Sequence, residues 1–262
     1  YTEETKPMLM TSSGFIPWDD SHHTELSMTD GVPNGKWIFI NGNNTPRLAR
    51  IDLKTFRTVE ILEIPNSAGN HSSPFTTENS EYVVCGTRFS IPMKELDVPI
   101  DSYREKFNGT VSFVKINPES GNMNVEFQIM TPPFDYDLSH AGKGPSHDWF
   151  FFSCYNTEEA FTLLEVNASQ KDKDFIMAVN WKKAEQYLKE GKAKDVASEY
   201  YHNVYDESKH SASSEVLKTV KMLDPKDCPD MIYYIPCPKS PHGADVDPSG
   251  EYIVGGGKLA TV

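Results

Sequence analysis

One spacing recurs three times along the chain and restricts its fold more than any other feature. Each copy is an apolar residue and a proline, followed six residues after the proline by a histidine. The copies are Ile16-Pro17 with His23, Ile64-Pro65 with His71, and Ile235-Pro236 with His242. A turn and a run of β-branched and aromatic residues follow each histidine, which is typical of a strand. The sequence therefore repeats one β-rich unit, and such units stack to bury their apolar faces.

The interval between the first two copies matches the blade of a β-propeller. His23 and His71 lie 48 residues apart, which is close to the length of a four-stranded blade. The runs from Lys36 to Ile64 and from Tyr82 to Met130 alternate strand-like segments with turns. We therefore predict an all-β fold, an incomplete propeller with about four blades, in which the fourth unit begins at Met231.

A propeller would bring the repeated histidines together. The connection into the innermost strand of each blade lies near the central axis, so residues at that point converge. Imidazole binds copper, zinc, nickel and iron. A single histidine beside a proline turn is usually a surface residue, but three in one register favour a shared metal site. His22, next to His23, joins His71 and His242 as a candidate ligand.

Other polar residues near the repeat have weaker signals. Asp19, Asp20 and Asp245 lie beside the candidate ligands in sequence and are candidates to orient their rings. The third unit has no histidine in the repeated place, and we interpret His140 and His147 as loop residues without a metal role.

The remaining irregular segments are interpreted as additions to the blades. Residues 93–108 are an insertion with a helical turn, and the pattern predicts a helix from Lys182 to Glu190 that ends at Gly191. Residues 192–226 are polar and are expected to be a surface excursion in which His202 and His210 face solvent.

Charge and cysteine content exclude some classes of function. The net charge of −13 argues against nucleic acid and anionic membranes as partners. No pair of cysteines has metal-binding spacing, while a disulfide between Cys228 and Cys237 is possible but unsupported. The chain opens on Tyr1, has no signal peptide or apolar span, and has too few blades to close a ring. We therefore expect an internal fragment of a longer protein.

Several segments, in the same order along nearly the whole chain, resemble nitrous oxide reductase. The segments are Asp20-Ser21-His22-His23 before Ser27-Met28-Thr29-Asp30-Gly31, Lys36-Trp37-Ile38-Phe39-Ile40-Asn41, Arg47-Leu48-Ala49-Arg50-Ile51, Ile64-Pro65-Asn66, Cys154-Tyr155-Asn156-Thr157-Glu158-Glu159-Ala160-Phe161, and Ser240-Pro241-His242-Gly243 before Gly256-Gly257-Lys258-Leu259. The sharpest matches are the doubled histidine in its context and Pro241-His242-Gly243 before Gly257-Lys258-Leu259. The resemblance implies a seven-bladed propeller followed by a cupredoxin domain. Residues 1–262 would be the partial N-terminal propeller domain, without the C-terminal blades and the cupredoxin domain.

The resemblance also implies a function and its cofactors. The family reduces nitrous oxide to dinitrogen and water with two electrons and two protons, a reaction of denitrification, at a four-copper sulfide cluster held by seven histidines. A two-copper electron-entry site would lie in the missing cupredoxin domain. Members are periplasmic homodimers that receive electrons from a small cytochrome or cupredoxin, and one subunit's electron-entry site faces the other's cluster.

Residue by residue, four cluster ligands and part of a calcium site carry over. His22, His23, His71 and His242 match four of the seven copper ligands; Tyr155, Glu158 and, at a longer spacing, Asp174 match calcium ligands. Ser240 stands where the family often has asparagine, which puts part of the calcium shell in doubt. After His23 this chain has Thr24-Glu25 where the commoner branch has Pro-His, which looks like the second branch, exported by the general secretory route.

Two other interpretations of the same sequence remain open. A propeller that serves only as a binding scaffold would scatter its histidines and hold no ordered metal. A single-metal hydrolase on a propeller would bring carboxylates rather than imidazoles to the axis. Convergence of the four histidine rings within roughly ten ångströms separates both from the copper interpretation, since metal–nitrogen bonds are about 2 Å.

Overall fold

The computed structural model describes residues 21–43, 45–67, 69–87, 91–92, 107–132, 135–155, 174–198, 217–237 and 241–257. Its elements are almost all strands, arranged as successive antiparallel meanders. The first meander, blade 1, contains β1 (Thr24–Thr29), β2 (Val32–Asn41), β3 (Arg47–Asp52) and β4 (Arg57–Glu63). Asp30 and Gly31 join β1 to β2 with φ of 51° and 72°, the left-handed backbone that a tight Asp-Gly hairpin needs.

Blade 2 and blade 3 repeat this order. Blade 2 contains β5 (Ser72–Thr76), β6 (Tyr82–Gly86), β8 (Phe107–Ile116) and β9 (Met123–Thr131), and the short β7 (Ile91–Pro92) pairs with the start of β8. Blade 3 contains β10 (Asp135–Ala141), β11 (Trp149–Tyr155), β12 (Phe175–Asn180) and β15 (Ile232–Pro236). A last pair, β16 (Pro241–Val246) and β17 (Ile253–Gly257), begins blade 4.

The innermost strands lie side by side in the order β1, β5, β10, β16, which is the arrangement of a propeller. The all-β propeller prediction is therefore confirmed, with three four-stranded meanders and two strands of a fourth among the described residues. The predicted start of the fourth unit at Met231 is wrong. The strand that follows Met231 is β15, which pairs with β12 as the outer edge of blade 3, so blade 4 begins at β16.

Apolar side chains fill the spaces between neighbouring blades. In β6, Val83 faces the core shared with blade 1, whereas Val84 faces the core shared with blade 3. In β11, Phe150 and Phe152 face blade 2, and Phe151 packs against blade 4. Because both faces of these strands are covered, they read as continuous apolar runs rather than as alternating ones.

A segment between β12 and β15 returns to blade 2. It contains α1 (Trp181–Lys189), β13 (Lys194–Ala197) and β14 (Thr219–Leu223). Strand β14 runs parallel to β9 and extends blade 2, and β13 pairs with β14 at the outer edge. The expected excursion over residues 192–226 is thus wrong for these two stretches, while residues 199–216 lie outside the described part.

Other local predictions have mixed outcomes. The helix after Asn180 is confirmed, and the Asn180 side chain caps it by accepting a hydrogen bond from the backbone N–H of Lys183 at 2.8 Å. Cys228 and Cys237 are both free thiols, so the possible disulfide is absent. The insertion over 93–108 lies outside the described residues except for its last two, which are in β8.

Candidate metal centre

Three of the four predicted ligands meet in one group. His22 and His23 lie immediately before β1, and His71 lies immediately before β5, so each stands at the entrance to an innermost strand. The ring centroids are 4.6 Å apart for His22 and His23, 4.8 Å for His23 and His71, and 5.1 Å for His22 and His71. One ring nitrogen from each lies within 4.8 Å of the others. We call these three residues the histidine group.

A backbone carbonyl fixes the state of the His23 ring. Nδ1 of His23 lies 2.9 Å from the carbonyl oxygen of His71. Because a carbonyl only accepts, Nδ1 carries the proton and Nε2 keeps its lone pair for a metal. Burial lowers the pKa of His23, and the neighbouring His71 and His22 rings lower it further. The neutral form, which is the form that binds metals, is therefore favoured.

A buried carboxylate on β10 lies between two of the predicted ligands. Asp137 is fully buried; its Oδ1 is 2.5 Å from Nδ1 of His71, and its Oδ2 is 3.4 Å from Nε2 of His242. The shorter contact is close but does not have the alignment of a hydrogen bond. Two lone pairs would repel at this distance, so Nδ1 of His71 carries the proton and its Nε2 is left for a metal.

His242 lies beside the histidine group rather than within it. It is on β16, its side chain is 47% exposed, and Asp137 links it to His71. Ser153, fully buried on β11, anchors this part of the site. Its hydroxyl donates to the His242 carbonyl oxygen at 2.9 Å and accepts from the N–H of Leu138 at 3.1 Å. Blade 3 thus contributes an aspartate to the axis where its neighbours contribute histidines.

The sequence reasoning missed Asp137, Ser153 and a buried asparagine, Asn41, at the end of β2. Asp137 lies three residues before His140, which together with His147 is interpreted from the sequence as a loop residue. His140 is instead on β10, so its loop assignment is wrong, whereas His147 follows a single 3-10 turn and its ring contacts Glu78 at 2.6 Å. A polar residue at the start of the third innermost strand was the available signal for Asp137.

The structure does not support the prediction that nearby aspartates orient the histidine rings. Asp245 is exposed on β16, and within the described residues no hydrogen bond or ion pair joins it to a histidine. Asp19 and Asp20 lie outside the described part of the chain.

Most of the predicted calcium site cannot be placed. Glu158 lies outside the described residues, and only the backbone of Tyr155 is described, at the end of β11. Asp174 is buried before β12, and its carbonyl oxygen accepts a hydrogen bond from the N–H of Cys237 at 3.1 Å. The calcium assignment stays a prediction.

A further ionisable group, Glu25, lies two residues after His23 in sequence. Glu25 on β1 lines a cavity of about 230 Å³ together with Thr76, Glu78, His140 and Lys143. Burial raises the pKa of Glu25 to about 7, although the charge of Lys143 opposes the shift. Strand β1 therefore carries a carboxyl group that is partly neutral near pH 7.

Comparison with known proteins gives several relatives with the same name. The chain is 28% identical to a nitrous-oxide reductase of Pseudomonas fluorescens and 26% identical to one of Stutzerimonas stutzeri, over 99% of this chain in both cases. It is 27% identical over 92% of its length to a nitrous-oxide reductase of Cupriavidus necator. The chain spans 35% to 37% of the length of these relatives. The resemblance found in the sequence is therefore confirmed.

Other comparisons add little. No family model matches the chain. The β-propeller domain of Cps50 (Swd1) from Myceliophteria thermophila aligns with 70% of this chain and 48% of its own, at 11% identity and a TM-score of 0.35. Among the described residues, no helix combines the length and the apolar character needed to cross a membrane.

Proposed function

We propose that this chain is the N-terminal propeller portion of a copper-dependent nitrous oxide reductase. The observation that carries the proposal is the histidine group, in which rings 48 residues apart in sequence lie 4.8 Å apart in centroid distance. Similarity to nitrous-oxide reductases over 99% of the chain supports the same assignment.

The residues of the site fit copper as the metal. The group contains three imidazoles and no thiolate, and reduced copper binds imidazole well. Nε2 is the free nitrogen of both His23 and His71, because a carbonyl and a carboxylate lie at their Nδ1 atoms. If bound there, copper would bind nitrous oxide and pass to it the electrons that the donor supplies, which side chains cannot do.

Neighbouring groups hold the ligands in place, and burial favours the neutral form of His23. The His71 carbonyl orients the His23 ring, and burial keeps His23 unprotonated at neutral pH. Asp137 orients His71 through one carboxylate oxygen and holds His242 beside the histidine group through the other. His22, His23, His71 and His242 are therefore proposed as four copper ligands, and Asp137 as the residue that positions two of them.

The rest of the proposal concerns the longer protein. Because the chain spans only about 37% of its relatives, we infer that further blades of a seven-bladed ring supply three more histidines and that a C-terminal domain carries a two-copper electron-entry site. Calcium near Tyr155, Glu158 and Asp174, a homodimer, a periplasmic location and a cytochrome or cupredoxin donor belong to the same proposal.

A scaffold without metal is the second candidate, and the structure offers a specific reason against it. Burial of the Asp137 carboxylate between two imidazoles lowers the stability of the fold unless the carboxylate orients a metal ligand or balances a positive charge. A single-metal hydrolase is disfavoured because imidazoles outnumber carboxylates in the group.

Copper analysis of single variants tests the proposal. In the full-length protein, His22→Ala, His23→Ala, His71→Ala and His242→Ala should each lose copper from the propeller and lose nitrous oxide reduction with a viologen donor. His147→Ala is the matched control, since His147 lies outside the group and contacts Glu78, and should keep both. A wild-type propeller without copper, or full turnover in His71→Ala, would contradict the assignment.

A further inference from the structure

We propose that Asn41 is a positioning residue that fixes the backbone of all three members of the histidine group. This inference rests on the proposed function, because it concerns how the copper ligands are held. Asn41 is the last residue of β2 and is 2% exposed. Its backbone N–H donates to the carbonyl oxygen of His23 at 3.3 Å, so it lies directly across the sheet from a ligand.

Both ends of the Asn41 amide are used. Its Oδ1 accepts hydrogen bonds from the backbone N–H groups of His22 at 3.1 Å and His23 at 2.7 Å. Its Nδ2 donates to the carbonyl oxygens of Asn70 at 3.0 Å and His71 at 3.3 Å. One side chain of blade 1 therefore joins the two segments that carry the histidine group.

Only an amide satisfies these four partners. Two of them are donors on one side and two are acceptors on the other, which matches the oxygen and the NH₂ group of asparagine. Aspartate has the same shape, but its second oxygen would face two carbonyl oxygens. Leucine would remove all four hydrogen bonds, and losing hydrogen bonds to buried backbone groups destabilises a folded chain.

The position of these backbones decides whether the rings can share a metal. Metal–nitrogen bonds are about 2 Å and tolerate deviations of only a few tenths of an ångström. The His71 carbonyl that Asn41 holds is the same atom that fixes Nδ1 of His23. A change at Asn41 therefore disturbs both the spacing of the rings and the tautomer of His23.

Gln128 provides a matched control for a purely structural role. It is fully buried on β9, and its amide also uses both ends: Nε2 donates to the Pro65 carbonyl at 2.7 Å and to Ser112 at 2.8 Å, and Oε1 accepts from Asn66 at 3.0 Å. None of these partners belongs to the histidine group. Asn41→Asp and Gln128→Glu thus make the same chemical change in equally buried places.

The first measurement is copper bound to the propeller of the full-length protein, with its absorption and electron paramagnetic resonance spectra. Copper affinity should fall about 10- to 100-fold in Asn41→Asp and Asn41→Leu, as is usual when a partner of a metal ligand is lost. Gln128→Glu and Gln128→Met should lower the melting temperature but leave the affinity and spectra of the folded protein unchanged. Wild-type affinity and spectra in both Asn41 variants would overturn the proposal.

The second measurement needs no metal and separates this inference from the proposed function. In copper-free protein, hydrogen–deuterium exchange of the peptide that contains His22 and His23 should be about tenfold faster in Asn41→Leu than in wild type. The same peptide should be unaffected in Gln128→Met. Unchanged exchange in Asn41→Leu would refute the positioning role. Faster exchange with no copper in the wild type would instead refute the proposed function alone.

Discussion

Replacing Asp137 by asparagine removes a negative charge from between two candidate ligands while keeping the shape of the side chain. The carboxylate is fully buried, 2.5 Å from Nδ1 of His71 and 3.4 Å from Nε2 of His242. An aligned hydrogen bond from a ring N–H to a charged acceptor contributes about 1.5–3 kcal/mol. Because the His71 contact lacks the alignment of a hydrogen bond, we take the lower end, about 1.5 kcal/mol, which corresponds to about a tenfold loss of copper affinity.

The loss should be confined to the metal site. Asparagine can still present an oxygen to His71, so the fold of blade 3 should persist, and Asp137→Ala should lose more affinity because it also opens a void. The assay is copper titration of the copper-free, full-length protein against a competing chelator. Asp245→Asn is the control and should bind copper as wild type does, since Asp245 is exposed on β16 and makes no hydrogen bond or ion pair with the histidine group in the described part of the chain. If Asp137→Asn also binds copper with wild-type affinity, the role assigned to Asp137 is wrong.

Three further predictions concern the scaffold. Hydrogen bonds from Ser249, Tyr252 and Glu251 lower the pKa of Asp247, in the β16–β17 turn, to about 2. The stability that this carboxylate contributes is complete above its ordinary pKa of about 4 and is lost as the pH falls through 2. Asp247→Asn should therefore speed hydrogen exchange of the hairpin at pH 6 but not at pH 1.5. Phe151→Ala should lower the free energy of unfolding in urea by about 3–4 kcal/mol, because Phe151 is 6% exposed between blades 3 and 4; a change under about 1 kcal/mol would contradict this packing. Gly121→Ala should lower the melting temperature more than Gly35→Ala, because both glycines have φ near 75° but only at Gly121 would a Cβ lie 2.6 Å from Trp37; equal losses would mean that backbone strain alone decides.

The position of the histidines at the start of the innermost strands was predictable, because it follows from a spacing within a few residues of sequence. The proline and the histidine six residues later mark the entrance to an innermost strand, and this pattern located His23, His71 and His242 at three such entrances. The third entrance was missed because Asp137 carries no such mark; a lone aspartate between aromatic and apolar residues is typical of many loops.

The contacts that hold the ligands could not be predicted, because they join residues far apart in sequence. Asn41 looks like the first residue of an Asn-Gly turn, and nothing in its neighbourhood indicates that it contacts Asn70 and His71. The pairing of β14 with β9 has the same character, since Lys221 lies opposite Phe127. Such pairs depend on the assembled blades and not on local propensity.

The return of β13 and β14 to blade 2 changes how the scaffold can come apart. In a simple array each repeat contacts only its neighbours, and stability is nearly a sum over repeats. Here β13 and β14 extend the sheet of blade 2, although in sequence they lie between two strands of blade 3, β12 and β15. Unfolding of either blade would therefore disrupt strands of the other, so we expect the two to unfold as one cooperative unit. The strand entrances that carry His71 and Asp137 should then fold and unfold together.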